Sequence, residues 1–359
     1  MQDQHTYVAI MAGGVGSRFW PASREERPKQ FLDILGTGKS LLRLTFERFL
    51  GLTSAERIFI VTNADYKALV MEQLPELTEN QILCEPSRNN TAPCVAYTAF
   101  KLHQLDPDAN LVIAPSDALI NNEPLFVDNI RKALTYTAEN DALVTLGIAP
   151  DSPHTGYGYI QFSQGEDGIY PVKRFTEKPE LKVAREFLAS GDYLWNAGIF
   201  VWRAATVLAA FNSHAPEITA LLGQNLACYN TPGEQAFIDE VYPQTPKISV
   251  DYAIMEKATN VFTIPAQFGW SDLGAWGSLH QEMNQDEDGN AVQGKAILLH
   301  DTHNTLVRIV GNKLAVVAGL DDYIIVDEGD VLLICPKSRE QEIKMLRTQV
   351  EEVFGPDFI

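Results

Sequence analysis

Over its first 150 residues the chain repeats one pattern: a short, largely apolar run, then a longer stretch in which apolar residues recur every three or four positions. The runs 7–12, 57–62, 81–84, 110–114 and 142–148 are nearly unbroken, as strands covered on both faces of a parallel sheet must be. The stretches 40–49, 65–74, 93–105 and 124–140 have helical spacing. Strand and helix in turn predict an α/β fold with a Rossmann-like, open, mostly parallel sheet that meets its ligands at the carboxyl ends of the strands.

Beyond residue 150 the texture changes. Residues 154–160 read as a turn into a strand, 172–179 as a strand running into a helix opened by proline, and 195–200 as a further strand. The segment 243–257 predicts a helix capped by Ser249. The acidic stretch 286–290 reads as a linker, followed by short strands at 295–300, 305–310, 314–318, 323–326 and 331–334 and a helix at 337–354. The expected organisation is therefore a large domain, 1–284, and a small β-rich domain, 285–359, that ends in a helix.

Composition narrows the function. The 359 residues are 45% hydrophobic, with 28 Lys and Arg against 47 Asp and Glu, a formal net charge of −19. Such a surface repels nucleic acid, so any polyanionic ligand has to be small and held by a local basic site. No apolar run approaches the roughly 20 residues a bilayer-spanning helix needs, and Met1–His5 has neither a basic head nor an apolar signal core. The expectation is a cytoplasmic protein with no membrane partner. Cys84, Cys94, Cys228 and Cys335 show no C-x-x-C pair and no zinc spacing, which predicts reduced and mostly buried thiols.

The chemistry starts where the first run breaks. Ala12 is followed by Gly13, Gly14, Val15, Gly16, Ser17 and Arg18. Three glycines in four positions strip away side chains and let successive N–H groups converge on phosphate oxygens. Arg18 and Lys29 add positive charge suited to a polyphosphate whose charge changes in reaction. This is not the dinucleotide fingerprint, because Phe19 stands where G-x-G-x-x-G requires its third glycine. Nor is Gly36–Ser40 a P-loop, since Asp33 occupies the position of the first glycine; it reads as a turn before a helix.

Two strand ends gather polar residues. Glu85-Pro86-Ser87-Arg88-Asn89-Asn90-Thr91 has amides and hydroxyls that suit a base edge, though a capped surface loop would use the same residues. Ser116 and Asp117 close the strand 110–114. A carboxylate there suits Mg²⁺, a hard ion that prefers oxygen ligands, but a lone strand-end Asp is more often a turn residue. Glu177-Lys178-Pro179 offers a hydroxyl acceptor and a phosphate cation, or simply opens a helix.

The glycine loop ending in Arg18, with Phe19-Trp20-Pro21 and Pro28-Lys29-Gln30-Phe31, resembles the sugar-1-phosphate nucleotidyltransferases, and among them the mannose-1-phosphate guanylyltransferases, or GDP-mannose pyrophosphorylases. Five motifs stand in that family's order over residues 6–355. The resemblance implies the nucleotide-diphospho-sugar transferase type of mixed sheet, with a C-terminal β-helix-like module that contributes to a homodimer. It implies transfer of guanylyl from GTP to α-D-mannose 1-phosphate, giving GDP-mannose and pyrophosphate, with Arg18 and Lys29 catalytic. It places Ala12, Gly13, Gly14, Gly16, Ser17, Arg18, Lys29, Glu85, Pro86, Arg88, Asn89, Thr91, Ser116 and Asp117 at the nucleotide. Gly156, Tyr157, Gly158, Glu177, Lys178, Asn196 and Asp272 fall at the sugar phosphate, and Asp117 with Asp272 at Mg²⁺. Ala118 stands where the family commonly has histidine, which removes any contact made through that ring. Asn89-Asn90 leaves open which asparagine plays which part. The segment after 285 is too short for the isomerase domain fused to longer relatives, so the resemblance is to a short form. The same chemistry with another NTP or sugar, and a non-catalytic nucleotide-sugar-binding regulatory subunit, are the competing readings. The second loses force because Arg18, Lys29, Asp117 and Asp272 all remain.

Overall fold

A computed structural model describes residues 4–165 and 167–359. The first three residues of the N-terminal segment read for targeting lie outside them. The described chain forms two compact units: Met1–Gly13, Thr45–Ser116 and Ile120–Trp270 in one, Gly14–Leu44, Asp117–Leu119 and Ser271–Ile359 in the other. The division does not follow the expected boundary at 284/285. The physical reason is a shared apolar core: Phe19, Trp20 and Ile34 are buried in one cluster with Trp276, Leu306, Ile324, Leu333 and Ile343.

The first unit is built on a nine-stranded sheet. Its strands are β1 (Thr6–Met11), β2 (Ile58–Asn63), β3 (Ile82–Glu85), β4 (Asn110–Pro115), β5 (Leu143–Ile148), β6 (Tyr159–Phe162), β7 (Tyr170–Thr176), β8 (Tyr193–Arg203) and β9 (Val261–Ala266). They lie in the order β3-β2-β1-β4-β8-β5-β9-β7-β6. The half from β3 to β4 is parallel, as the unbroken apolar runs predict, and β1 and β2 are buried along nearly their whole length.

At β8 the structure departs from the mostly parallel sheet that the alternation alone predicts and agrees with the mixed sheet that the family resemblance implies. The strand β8 runs antiparallel to both β4 and β5 and again to β6, so the sheet is mixed rather than mostly parallel. The helix expected over 243–257 is also reduced. A single turn spans Tyr242–Gln244, and a five-residue π-turn spans Asp251–Met255. Pro246, lying between them, has no N–H to continue a helical ladder. Ser249 does act as a cap, accepting from the Tyr252 N–H at 3.3 Å.

In the second unit the short strands β10 (Ala291–Gln293), β11 (Ala296–His300), β12 (Leu306–Ile309), β13 (Leu314–Ala318), β14 (Tyr323–Asp327) and β15 (Leu332–Pro336) precede a helix, Ile343–Phe354. Consecutive strands alternate between two ladders: β10, β12 and β14 pair in parallel, and so do β11 and β13. β15 returns antiparallel on β14. The expected linker is an ordered turn, in which the Asp286 carboxylate accepts from the N–H groups of Asp288 and Asn290 at 3.0 and 2.8 Å. All four cysteines are free; three are buried and Cys228 is partly exposed. Among the described residues no helix is long and apolar enough to cross a membrane.

Candidate active site

The glycine loop takes its shape from two tight spots. Gly16 is in the left-handed region at φ 56°, and a Cβ there would lie 2.5 Å from the Lys29 Cβ and 3.1 Å from the Ser23 hydroxyl. Only glycine lets the loop fold back so closely on the Lys29 turn. Gly14 is exposed, and a Cβ there would meet nothing within 4 Å. Its carbonyl accepts from the Gln30 amide at 2.9 Å, and the Val15 carbonyl accepts from the Ser23 hydroxyl at 2.8 Å. The loop is thus tied from beneath while its outer face stays open, with Arg18 exposed beyond it.

Lys29 joins two distant segments of the second unit. The residue is 3% exposed, and its ammonium donates to the Asp117 carboxylate at 3.1 Å and to the Asp272 main-chain carbonyl at 2.9 Å. The Phe19 ring lies beneath it at 5.2 Å. A buried ammonium needs such partners, and here they come from segments 88 and 243 residues away. The Asp272 carboxylate turns instead onto the Gly274 N–H at 3.0 Å. Leu273, between them, is buried at φ 44°, a conformation that a bulky residue rarely adopts unless its surroundings enforce it.

The donor set suits Mg²⁺. The partly exposed Asp117 carboxylate has no hydrogen-bond partner other than Lys29 among the described residues, and Asp272 adds a second hard oxygen donor. Few protein ligands are what this ion takes when phosphates and water supply the rest. The one cluster of three or more potential ligand side chains among the described residues is elsewhere: His5, Asp106 and Asp108. It lies outside the expected site, and the His5–Asp106 pair accounts for its closest approach at 2.8 Å.

In the first unit Glu85 ends β3 and is buried. It accepts from the Tyr242 hydroxyl, and a Cβ on Gly13 would come within 3.3 Å of it. Burial pushes its carboxyl up to about 7, partly offset by the bonds from Tyr242 and Cys94. The asparagine pair divides its work. Asn89 is wholly buried, donating to the Tyr242 and Thr245 carbonyls at 2.9 and 3.0 Å and accepting from Ser87 at 3.1 Å. Asn90, exposed and at φ 68°, caps the helix Thr91–Leu105. The Thr91 hydroxyl accepts from Val250 N–H at 2.9 Å. Asn89 and Thr91 thus hold the segment in place; their side chains are engaged within the protein. Arg88 donates to the Tyr66 hydroxyl at 2.8 Å, and Ser116 is buried with its carbonyl bonded to Thr45.

Of the expected sugar-side residues, Gly156, Tyr157, Gly158, Glu177, Lys178 and Asn196 belong to the first unit, and Asp272 belongs to the second. A Cβ on Gly158 would lie 2.6 Å from the Glu177 carboxylate and 3.3 Å from Asn196 Cβ, so bare backbone admits both. Lys178 pairs with Glu177 at 2.5 Å, and Tyr157 packs edge-on against Trp195 and Trp270, with centroids 5.0 and 5.4 Å away. Gly156 donates its N–H to the His154 ring at 3.1 Å. Sequence reading missed Asp251, which accepts from the Asn196 amide at 3.0 Å, because it sat in what looked like a packing helix.

Residues 7–289 match the family model for nucleotidyl transferases. The chain belongs to the nucleotidyl transferase family. Within that family it is 37% identical over 342 residues to a mannose-1-phosphate guanylyltransferase of Klebsiella pneumoniae, covering 93% of this chain and 72% of that one. It is 38% identical over 343 residues to the alginate biosynthesis protein AlgA of Pseudomonas aeruginosa, covering 93% and 70%. The crystal structure of a mannose-1-phosphate geranyltransferase from Thermus thermophilus superposes with a TM-score of 0.86 at 33% identity, covering 97% of this nucleotidyl transferase and the whole of that chain.

Proposed function

We propose that this chain transfers guanylyl from GTP to α-D-mannose 1-phosphate, releasing pyrophosphate and GDP-mannose. The observation that carries the reading is the buried Lys29 ammonium, bonded to Asp117 and to the Asp272 carbonyl beside the Gly16 turn. An oxygen of the sugar phosphate attacks the α-phosphorus of GTP while the bond to the pyrophosphate oxygen breaks, so no protein nucleophile is required. Catalysis is positioning and charge stabilisation. The N–H groups of Gly13 to Ser17, with Arg18 and Lys29, hold the triphosphate. Asp117 and Asp272 would hold Mg²⁺, which supplies neutralisation of charge on the phosphate oxygens.

Glu85, Pro86 and Arg88 take the base side. Guanine presents N1–H and an exocyclic amino group, donors that a buried carboxylate accepts. On the sugar side Glu177 and Asn196 meet hydroxyls, and Lys178 meets the phosphate, with Gly156, Tyr157 and Gly158 forming the wall beside them.

The alternation of β10 to β14 between two parallel ladders supports a β-helix-like coil in the C-terminal segment. We take the protein to be a homodimer in the cytoplasm, the dimer supported by exposed apolar side chains on β11 and β13.

The test is pyrophosphate release with Mg²⁺ over the common NTPs against mannose, glucose, galactose and N-acetylglucosamine 1-phosphates. Turnover with GTP and mannose 1-phosphate is expected. Turnover confined to another pair overturns the specificity, and binding without turnover makes the chain a nucleotide-sugar-binding regulatory subunit.

A further inference from the structure

The sugar-side cluster contains a second carboxylate whose surroundings are unlike those of a packing residue. Asp251 opens the π-turn Asp251–Met255, closed by the Glu256 N–H on the Asp251 carbonyl at 2.9 Å. Turns of this kind are rare and recur at functional sites. This one is fastened to Glu177 twice. The Glu177 N–H donates to the Glu256 carboxylate at 2.9 Å, and the Tyr252 hydroxyl donates to the Glu177 carbonyl at 3.3 Å.

Asn196 fixes the orientation of Asp251. The Asn196 carbonyl oxygen accepts from the Gly198 N–H at 3.1 Å and the Thr145 hydroxyl at 2.8 Å. Because an N–H can only donate, the Gly198 bond identifies that atom as oxygen, which sends the amide nitrogen to the Asp251 carboxylate at 3.0 Å. Beside this pair, Gly198 is at φ 70° and a Cβ on it would meet no atom within 4 Å, so there is open space next to Asn196.

We propose that Asp251 is a further hexose-binding residue, accepting a ring hydroxyl of the sugar 1-phosphate beside Glu177 while Asn196 holds its carboxylate in place. This rests on the function proposed above. The Asp251 carboxylate is near enough to feel the charge of Glu177, whose own partner, Lys178, is more than half exposed. A substrate hydroxyl would add a donor to carboxylates already fixed by Asn196 and Lys178. Desolvation, then the Glu177 charge, raise the Asp251 carboxyl to about 7, offset by its own backbone, by Lys178 and by Ser249. Near neutrality the group can therefore also donate to a hydroxyl oxygen.

The experiment is steady-state kinetics of the full chain carrying Asp251→Asn, with GTP and mannose 1-phosphate varied in turn. A charge-assisted hydrogen bond to a substrate predicts that KM for the sugar phosphate rises about tenfold to a hundredfold. KM for GTP should stay within about twofold, and the variant should still unfold cooperatively. A folded variant with both KM values at wild-type level overturns the proposal. Should Asp251→Asn fold poorly, Asp251→Ser takes its place, read as the ratio of kcat/KM for mannose over glucose 1-phosphate. A changed ratio supports a contact with the sugar, and an unchanged ratio overturns it. A wild-type protein that uses another sugar 1-phosphate refutes the mannose reading alone, and the same comparison is then made with that sugar.

Discussion

At the scale of single residues, burial decides which charges must be given a partner inside the protein. Lys29, Glu85 and Glu177 are acidic or basic groups that the fold has taken largely out of water, and each is given a specific partner: Asp117, Tyr242 and Lys178. For Glu85 the consequence is measurable. Its folded-state carboxyl, raised by burial to about 7 from an ordinary value of 4.5, binds a proton more tightly than the unfolded chain does. The stability it contributes is therefore complete below the ordinary value and is lost as pH rises through about 7. The raised Asp251 carboxyl acts in the same direction. Relative to Glu85→Gln, the wild-type melting temperature should decline from pH 5 to pH 8; scanning calorimetry at stepped pH showing equal slopes would refute this. The sequence displayed these groups as motif members, yet it concealed that Asn89 is a buried clamp and Asn90 a cap. Adjacent identical residues differ only in which way the backbone turns them, and Asn90 at φ 68° is set by the turn it closes.

At the scale of elements, the loop 14–31 is positioned by what packs beneath it rather than by its own propensity. Phe19 packs at a tilt against Trp276 with centroids 4.8 Å apart, the Trp276 indole donates to the Trp20 carbonyl at 3.1 Å, and the Trp20 indole donates to the Phe358 carbonyl at 2.7 Å. Arg24 forks onto Asp330 at 2.8 and 2.5 Å. Trp276 is fully buried, so Trp276→Ala should cost about 3–5 kcal/mol, the range for large aromatic truncations. Denaturant unfolding would check this, and a loss below about 1 kcal/mol would show that the loop is supported some other way. The same principle explains the P-loop decoy. The Thr37 and Gly38 N–H groups, which a phosphate would need, are taken by the Asp33 carboxylate at 2.9 and 2.7 Å. Asp33 could be seen in sequence as the wrong residue for a P-loop, but only the fold revealed it as the ligand of that turn.

At the scale of the whole molecule, the exposed apolar side chains among the described residues include a set on the β11–β13 ladder. Leu298, Leu314 and Val316 are 58%, 67% and 60% exposed, and Leu298 pairs with Val316 across the β11–β13 ladder. If this face joins two copies, Leu314→Asp should convert dimer to monomer in light scattering at micromolar concentration, with turnover per chain retained. A wild-type protein that is monomeric throughout that range would remove the assignment.

What the sequence by itself determined was local. Unbroken apolar runs imposed the parallel half of the sheet and three glycines opened a loop, because each of these effects acts within a few residues. Tertiary structure decided the rest. It inserted β8 antiparallel between β4 and β5, since an apolar strand pairs in either direction and its period does not record which. It gathered residues 14–44 with 271–359, because apolar side chains cluster by proximity in space and not along the chain. It also set Lys29 against Asp117 and Asp272, and Asp251 against Asn196, since a charge buried by folding takes whatever partner the fold brings within reach.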